Sequence, residues 1–133
     1  MSTVFLDTVG LIALWNHNDQ WHIPAKTIFR NLIPATTRLV TTSYVLLECS
    51  NACCRRPYRD EVIRLRDDLI LAGDLFEPTP VEIESAWAEY TRGSAGTAGV
   101  VDLVSMTLMR RLGIREAFTN DKHFEAAGFE ILF

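Results

Sequence analysis

The sequence predicts an α/β protein in which helices cover both faces of a central, mostly parallel sheet of five strands. Short apolar runs that are typical of buried strands alternate along the chain with longer segments whose apolar residues recur at helical spacing. The connections are mostly short, which favours a sheet built from strand–helix–strand units. The 133 residues are enough for one domain, and we expect residues 1–133 to form it.

Five apolar runs predict the strands. Val4-Phe5-Leu6 is the clearest, because three large apolar residues in a row suit a strand that is buried on both faces. The third run is ended by Pro78, which cannot donate a backbone hydrogen bond to a sheet. In chain order, the predicted strands are residues 3–6, 38–41, 75–77, 116–119 and 129–132.

Apolar periodicity together with start and stop signals predicts the helices. Ser43 is a favourable N-cap, and Thr79 followed by Pro80 is a typical helix start. Gly73 and Gly113 follow the last periodic residues of two helices, where glycine is favoured. The predicted helices cover residues 9–16, 22–33, 43 to 56, 59–72, 80 to about 90, 100–112 and 121–127.

Four acidic residues lie in apolar stretches: Asp7, Glu48, Asp102 and Asp121. Asp7 follows the first strand and Asp121 the fourth, so both fall at the carboxyl edge of the predicted sheet, where parallel sheets bind their ligands. An unpaired carboxylate in apolar surroundings is costly and needs a partner. No Lys or Arg adjoins the first three acids in sequence, which favours a bound cation.

The ligand types favour a hard divalent ion. Two carboxylates about 4 Å apart repel by roughly 4 kcal/mol at an effective dielectric of about 20, so a cluster of four needs cations. Oxygen ligands without His or Cys select Mg²⁺ or Mn²⁺ over zinc, and such an ion activates water for attack on a phosphodiester. Four polar residues are candidates to orient the acids or a metal-bound water: Thr8, Ser105, Thr119 and Asn120.

Three of the four acids also have a purely structural explanation. Asp7 and Asp121 could cap the helices that follow them, and Asp102 could lie in the first turn of its helix, where negative charge is favoured. Glu48 lies in mid-helix and has neither role. The three histidines are predicted to be surface or structural residues: His17, His22 and His123.

Composition limits the class of protein. The chain is 48% hydrophobic and 23% charged, as ordinary globular proteins are, and no window approaches the roughly 18 apolar residues of a membrane span. We therefore expect a cytoplasmic protein without membrane contact. The three cysteines are expected to be small packing residues of a reduced protein: Cys49, Cys53 and Cys54.

A net charge of −4 argues against non-specific nucleic-acid binding, although basic residues are concentrated locally. They form a solvated surface unless they border the acidic pocket, in which case they would contact phosphates. The basic residues are Arg55, Arg56, Arg59, Arg64, Arg66, Arg110 and Arg111.

Four segments together resemble PIN domains, and among these the VapC-type toxins of bacterial and archaeal toxin–antitoxin pairs. They occur in the family's order and spacing over nearly the whole chain. The segments are residues 4–8 running into 11–14, Thr42-Ser43 with Glu48, Val101-Asp102 with residues 109–114, and residues 118–124 before Gly128-Phe129.

The resemblance implies a three-layer α/β/α fold and an endoribonuclease that depends on Mg²⁺ or Mn²⁺ and cleaves structured RNA, such as tRNA or rRNA, or mRNA. It also implies a homodimer and an antitoxin that blocks the active site. The acids fall on the family's four acidic positions: Asp7 would be the central metal ligand, Asp102 and Asp121 would complete the metal sites, and Glu48 would bind a second ion or position the attacking water.

Two positions differ from the family pattern. Val9 stands where a small polar residue is usual, and Gly99 stands where a Ser is common. Two other functions remain open on the sequence alone. A phosphatase would form an aspartyl-phosphate at Asp7, but this chemistry usually requires an acid at the position of Val9. A degenerate PIN-like module would only bind a partner or RNA.

Overall fold

The computed structural model describes residues 2–34, 36–52, 58–93 and 96–133. Within these ranges, five strands alternate with seven helices. In chain order they are β1 Thr3–Leu6, α1 Thr8–Trp15, α2 His22–Leu32, β2 Arg38–Thr42, α3 Ser43–Ala52, α4 Tyr58–Ala72, β3 Leu75–Phe76, α5 Pro80–Arg92, α6 Val100–Leu112, β4 Glu116–Phe118, α7 Lys122–Ala126 and β5 Glu130–Ile131.

The strands form one sheet in the order β3-β2-β1-β4-β5, and every strand pair is parallel. The predicted fold class is thereby confirmed. Phe5 of β1 lies between Val40 of β2 and Ala117 of β4, and all three side chains are fully buried. Because the chain leaves β1 toward β2 and returns later on the other side as β4, the carboxyl ends of β1 and β4 border a topological switch point, where ligand sites form.

Helix α1 packs very closely against the end of β4. A Cβ atom on Gly10 would lie 2.0 Å from the carbonyl oxygen of Phe118, so only glycine fits at this position. The backbone N–H of Asp7 lies 3.4 Å from the same carbonyl oxygen. This close approach places Asp7, the residue between β1 and α1, beside the carboxyl end of β4.

One predicted helix cap is wrong. Thr42, the last residue of β2, caps α3, because its Oγ1 accepts a hydrogen bond from the N–H of Val45 at 3.2 Å. Ser43 instead donates its hydroxyl to Oε2 of Glu77 at 2.7 Å. The cap predicted at Thr79 is confirmed, with a reciprocal hydrogen bond from its own N–H to Glu82.

The structure describes some of the predicted cysteine and basic residues and not others. Cys49 is buried in the core, whereas Cys53 and Cys54 lie outside the described residues, as do Arg55 and Arg56. Three of the other basic residues form ion pairs: Arg64 with Glu61, Arg66 with Asp67, and Arg111 with Glu82.

No helix within the described ranges is long and apolar enough to span a membrane.

Candidate active site

One side-chain hydrogen bond holds the carboxylate of Asp7. Its residue is 1% exposed, and its Oδ2 accepts a hydrogen bond of 2.8 Å from the hydroxyl of Thr119. Asp7 occupies the N-cap position of α1 but its side chain makes no capping hydrogen bond. Its Oδ1 is buried and has no hydrogen-bond partner in the described part of the chain. The capping explanation therefore does not hold for Asp7.

Burial and neighbouring negative charges raise the pKa of Asp7 from 3.8 to about 7. Burial is the largest cause, the charge of Asp102 is the next, and that of Asp121 adds to it. The hydrogen bond from Thr119 opposes them. The three aspartates are thus electrostatic neighbours, although they lie far apart in the sequence.

Asp102 is the third residue of α6 and reaches back to the start of its helix. Its Oδ2 accepts a hydrogen bond of 3.3 Å from the backbone N–H of Gly99, the N-cap residue. Burial and then the charge of Asp121 raise its pKa from 3.8 to about 6, and Glu48 contributes in the same direction. Gly99, which lacks the family's serine side chain, therefore still contacts the acid through its main chain.

Glu48 lies on α3, and its carboxylate is tied to the first residue of α1. The hydroxyl of Thr8 donates to Oε1 of Glu48 at 2.7 Å. Since Glu48 also raises the pKa of Asp102, it lies near that aspartate. Val9, which follows Thr8 in the sequence, is 38% exposed and contributes no polar group.

Asp121 is positioned by two backbone hydrogen bonds. Its N–H donates to the hydroxyl of Thr119 at 3.0 Å, and its Oδ1 accepts from the N–H of His123 at 2.9 Å. Asp121 thus caps α7, so its structural explanation holds. A cap uses one carboxylate oxygen and does not exclude a further role for the other.

Sequence reasoning missed His123 as a member of this site. Its Nδ1 lies 2.6 Å from Oδ1 of Asp121, and its Nε2 lies 2.7 Å from the hydroxyl of Thr97. The signal available in the sequence was the spacing of Asp121 and His123 at the start of a short helix. His22, by contrast, is a structural histidine as predicted, since it is buried and its Nδ1 contacts the carbonyl oxygen of Ala13 at 2.9 Å.

Two predicted supporting residues make no contact that assigns them a role. Ser105 is fully buried, and its hydroxyl has no hydrogen-bond partner among the described residues. Asn120 is half-buried, and its side chain likewise makes no hydrogen bond among the described residues. Thr8 and Thr119, in contrast, contact Glu48 and Asp7 directly.

The donor set fits a divalent ion. Asp102, Asp121 and His123 each offer a ligand atom, and these atoms lie within 4.8 Å of one another. Asp7 and Glu48, which were predicted as ligands, do not belong to this group, although Oδ1 of Asp7 is a buried oxygen without a hydrogen-bond partner in the described ranges. Among the ion pairs of the described ranges, none joins Asp7, Glu48 or Asp102 to a Lys or Arg. Carboxylate oxygens suit Mg²⁺ and Mn²⁺, whereas an imidazole suits zinc and other transition metals. The prediction that no His lies near the acids is therefore wrong for this group, and its two carboxylates still favour a hard divalent ion.

Comparison with known proteins identifies relatives over almost the full length. The family model of the PIN domain matches residues 4–130. The curated 23S rRNA-specific endonuclease VapC20 of Mycobacterium tuberculosis is 31% identical over 127 residues, which cover 95% of each chain, in strain CDC 1551 / Oshkosh and in strain H37Rv.

A solved structure shares the fold. The crystal structure of Mycobacterium tuberculosis VapC20, described as a sarcin–ricin loop cleaving toxin, superposes with a TM-score of 0.77 at 29% identity. The superposition covers 95% of this chain and 95% of that one. The predicted family and the three-layer arrangement are in agreement with both comparisons.

Proposed function

The chain belongs to the PIN domain family, and we propose that it is a divalent-metal-dependent endoribonuclease that hydrolyses phosphodiester bonds in RNA. One observation carries the proposal. Four acidic side chains converge at the carboxyl edge of the sheet, and the described residues supply none of them with a Lys or Arg as an ion-pair partner. The similarity to an rRNA endonuclease supports the same reaction class.

Asp7, Asp102 and Asp121 would hold the metal, and Glu48 would hold a second ion or orient the attacking water. A bound divalent ion makes water a stronger nucleophile and stabilises the negative charge that develops on the phosphate. The chain's own contribution is to fix the acids. Thr119 donates to Oδ2 of Asp7, whereas Oδ1 has no hydrogen-bond partner among the described residues.

The raised pKa values support a cationic occupant. Burial and repulsion by neighbouring acids raise the pKa of Asp7 to about 7 and that of Asp102 to about 6. A positive charge at the centre opposes both causes and favours the ionised carboxylates that the chemistry needs. The ionised centre is therefore costly to the metal-free protein, and carboxylates with raised pKa values are concentrated at functional sites.

The proposed substrate is a structured RNA, with rRNA favoured over tRNA and mRNA because the relative VapC20 is named for 23S rRNA. The same relative is described as a toxin. We therefore propose that this chain is the toxin of a toxin–antitoxin pair, acts in the cytoplasm and is inhibited by a cognate antitoxin. A homodimer is supported by exposed apolar residues on α3 and α4, namely Leu47, Ile63, Ile70 and Leu71.

Neither alternative function gains support from the geometry. A phosphatase that forms an aspartyl-phosphate at Asp7 needs an acid near Val9, whose side chain is apolar and partly exposed. A degenerate binding module would not need the hydrogen bonds from Thr8 and Thr119 that hold two of the acids.

The test is cleavage of purified ribosomal RNA and of total tRNA by the purified chain, with Mg²⁺, with Mn²⁺ and with EDTA. We expect discrete fragments with either ion and none with EDTA, and no cleavage by folded Asp7→Asn or Asp102→Asn. Full cleavage in EDTA, or full activity of either folded variant, would show the proposal to be wrong.

A further inference from the structure

A cavity lies between α5, α6 and α7. Its volume is about 280 Å³. This is below the size of pockets for drug-like ligands and suits one small planar group. Helix α5 contributes Glu89, α6 contributes Leu103, Met106 and Arg110, and α7 contributes His123 to its lining.

The floor of this cavity is apolar. Ala98, Leu103 and Met106 line it and are 3%, 1% and 2% exposed, respectively. RNA-binding proteins stack unpaired bases on aromatic rings, including that of His, and on the guanidinium planes of Arg. His123 and Arg110 line this cavity and offer both kinds of surface.

Two charged side chains line the same cavity. The guanidinium carbon of Arg110 lies 5.4 Å from the centre of the Phe129 ring, so a cation–π contact holds this side chain. Glu89 is half-buried on α5. No ion pair between Glu89 and Arg110 occurs among those of the described residues. The carboxylate can therefore accept hydrogen bonds from a ligand, and the guanidinium can donate them.

His123 joins the cavity to the acidic centre. It lines the cavity, and its Nδ1 lies 2.6 Å from Oδ1 of Asp121. Its Nε2 contacts the hydroxyl of Thr97, the residue before the floor residue Ala98. One imidazole thus lies between the cavity and Asp121, so the cavity is next to the acidic centre.

We propose that this cavity binds the base of the nucleotide next to the scissile phosphate, and that the base is guanine. Guanine alone combines O6 and N7, which accept from one guanidinium, with the N2 amino donor and the neighbouring N1–H, which a carboxylate accepts. Arg110 and Glu89 supply these two complementary partners. The inference rests on the proposed function, because it assigns the base specificity of that same site.

The first test measures binding to the metal-free protein, so that it does not depend on catalysis. Backbone amide NMR signals are followed during titration with 5′-GMP, 5′-IMP, 5′-AMP and 5′-CMP in EDTA. We expect 5′-GMP to shift the amide signals of residues 89, 98, 103 and 126, and the other nucleotides to bind at least about tenfold more weakly, because a carboxylate or donor is left unpaired. Equal binding of all four nucleotides, or no shift at these positions, would overturn the base assignment.

Two variants with matched controls locate the effect. Glu89→Gln removes the carboxylate and should weaken 5′-GMP binding by about tenfold, whereas Glu84→Gln, an exposed position on the same helix, should not. Ala126→Trp fills the cavity from an exposed position on α7, and Glu125→Trp is its control on the same helix. If either control variant weakens binding as much as its partner does, the ligand binds elsewhere and the proposal is wrong.

The second test uses RNA. Once the cleaved bond is mapped, hairpins are compared that carry guanine, inosine or adenine on either side of it. We expect inosine, which lacks the 2-amino group, to reduce kcat/KM at one of the two positions by about tenfold in the wild type and not in Glu89→Gln. Cleavage that ignores both substitutions would overturn the base site and leave the nuclease assignment standing. Absence of all cleavage, even with metal, would overturn the nuclease assignment. It would also overturn the proposal that the bound base lies next to a scissile bond.

Discussion

Thr119 and Asp7 lie 112 positions apart in the sequence, and a side-chain hydrogen bond of 2.8 Å joins them at the carboxyl ends of β4 and β1. The same hydroxyl accepts the backbone N–H of Asp121 at 3.0 Å. Thr119 is fully buried, so water does not compete for either contact. One hydroxyl group therefore sets the positions of two of the four acids, across the central strand pair of the sheet.

Replacing Thr119 should affect both stability and catalysis. Thr119→Val removes the donor to Asp7 and the acceptor for Asp121 while keeping the shape of the side chain. We expect a loss of roughly 1–3 kcal/mol in the free energy of unfolding, because buried polar groups lose a partner. RNA cleavage should fall by about 10–100-fold, the usual effect of removing a residue that orients metal ligands.

Thr119→Ser is the matched control, since it keeps the hydroxyl and loses only a methyl group. Urea denaturation and cleavage rates of the three proteins check the prediction. If Ser is as inactive as Val while both variants remain folded, the hydroxyl is not the important group.

The stability of the metal-free protein should decrease as the pH rises. The folded-state pKa of Asp7, about 7, lies above the ordinary value of 3.8, so the folded protein binds this proton more tightly than the unfolded chain does. The stabilising contribution is complete below the unfolded pKa and is lost as the pH rises through the folded one. The shift of Asp102 to about 6 acts in the same direction.

Urea denaturation in EDTA between about pH 4 and pH 8 measures this slope, to which Asp7 contributes roughly 2–4 kcal/mol. Asp7→Asn cannot titrate at this position, so its stability should change less over the same range. The replacement keeps the size of the side chain. A constant difference between the two proteins in the free energy of unfolding does not affect the comparison of their slopes with pH. An identical pH dependence of wild type and variant would refute the assigned pKa.

Removing the hydrogen bond between Thr8 and Glu48 should reduce cleavage without unfolding the protein. Thr8→Val leaves Glu48 without its donor at 2.7 Å, and the partly exposed carboxylate can then take other rotamers. We expect cleavage to fall by about tenfold or more, with a change in melting temperature of only a few degrees. Thr8→Ser retains the donor and should stay active; a Thr8→Val enzyme of wild-type activity would remove Thr8 from the proposed site.

An added side chain should destabilise the protein at one glycine and be tolerated at another. Gly10→Ala places a Cβ 2.0 Å from the carbonyl oxygen of Phe118, a rigid backbone atom, and we expect destabilisation of roughly 3 kcal/mol or more. At Gly99 the nearest atom to such a Cβ is Oδ2 of Asp102, at 4.0 Å. Gly99→Ser should therefore be tolerated and should preserve cleavage, because serine is a favourable N-cap residue. Thermal denaturation of both variants decides the point, and equal losses of stability would contradict it.

The sheet could be predicted from the sequence because apolar runs and stop residues are local signals. Val4-Phe5-Leu6 predicts a central strand directly, and Gly113, with φ of 69°, ends α6 in the left-handed conformation that favours glycine. The edge at which Asp7 and Asp121 lie followed from strand direction alone. These inferences need no knowledge of side-chain contacts.

Contacts between distant segments could not be predicted in this way. Thr42 caps α3, whereas the hydroxyl of Ser43 donates to Glu77, 34 positions away, and the local sequence does not indicate that partner. His123 looked like a surface residue because nothing in its neighbourhood indicates that Thr97 would face its second nitrogen. The cavity between α5 and α7 likewise arises only when the helices have packed.

The most direct test of the account is calorimetric titration of Mn²⁺ into the metal-free protein at about pH 8, above the raised pKa values of Asp7 and Asp102. We expect saturable binding to the wild type and to the Asp60→Asn variant, which replaces an exposed acid on α4. We expect binding to folded Asp7→Asn and Asp102→Asn to be at least about tenfold weaker. Absence of binding to the wild type, or unchanged affinity in both active-site variants, would show that these carboxylates do not share a metal ion.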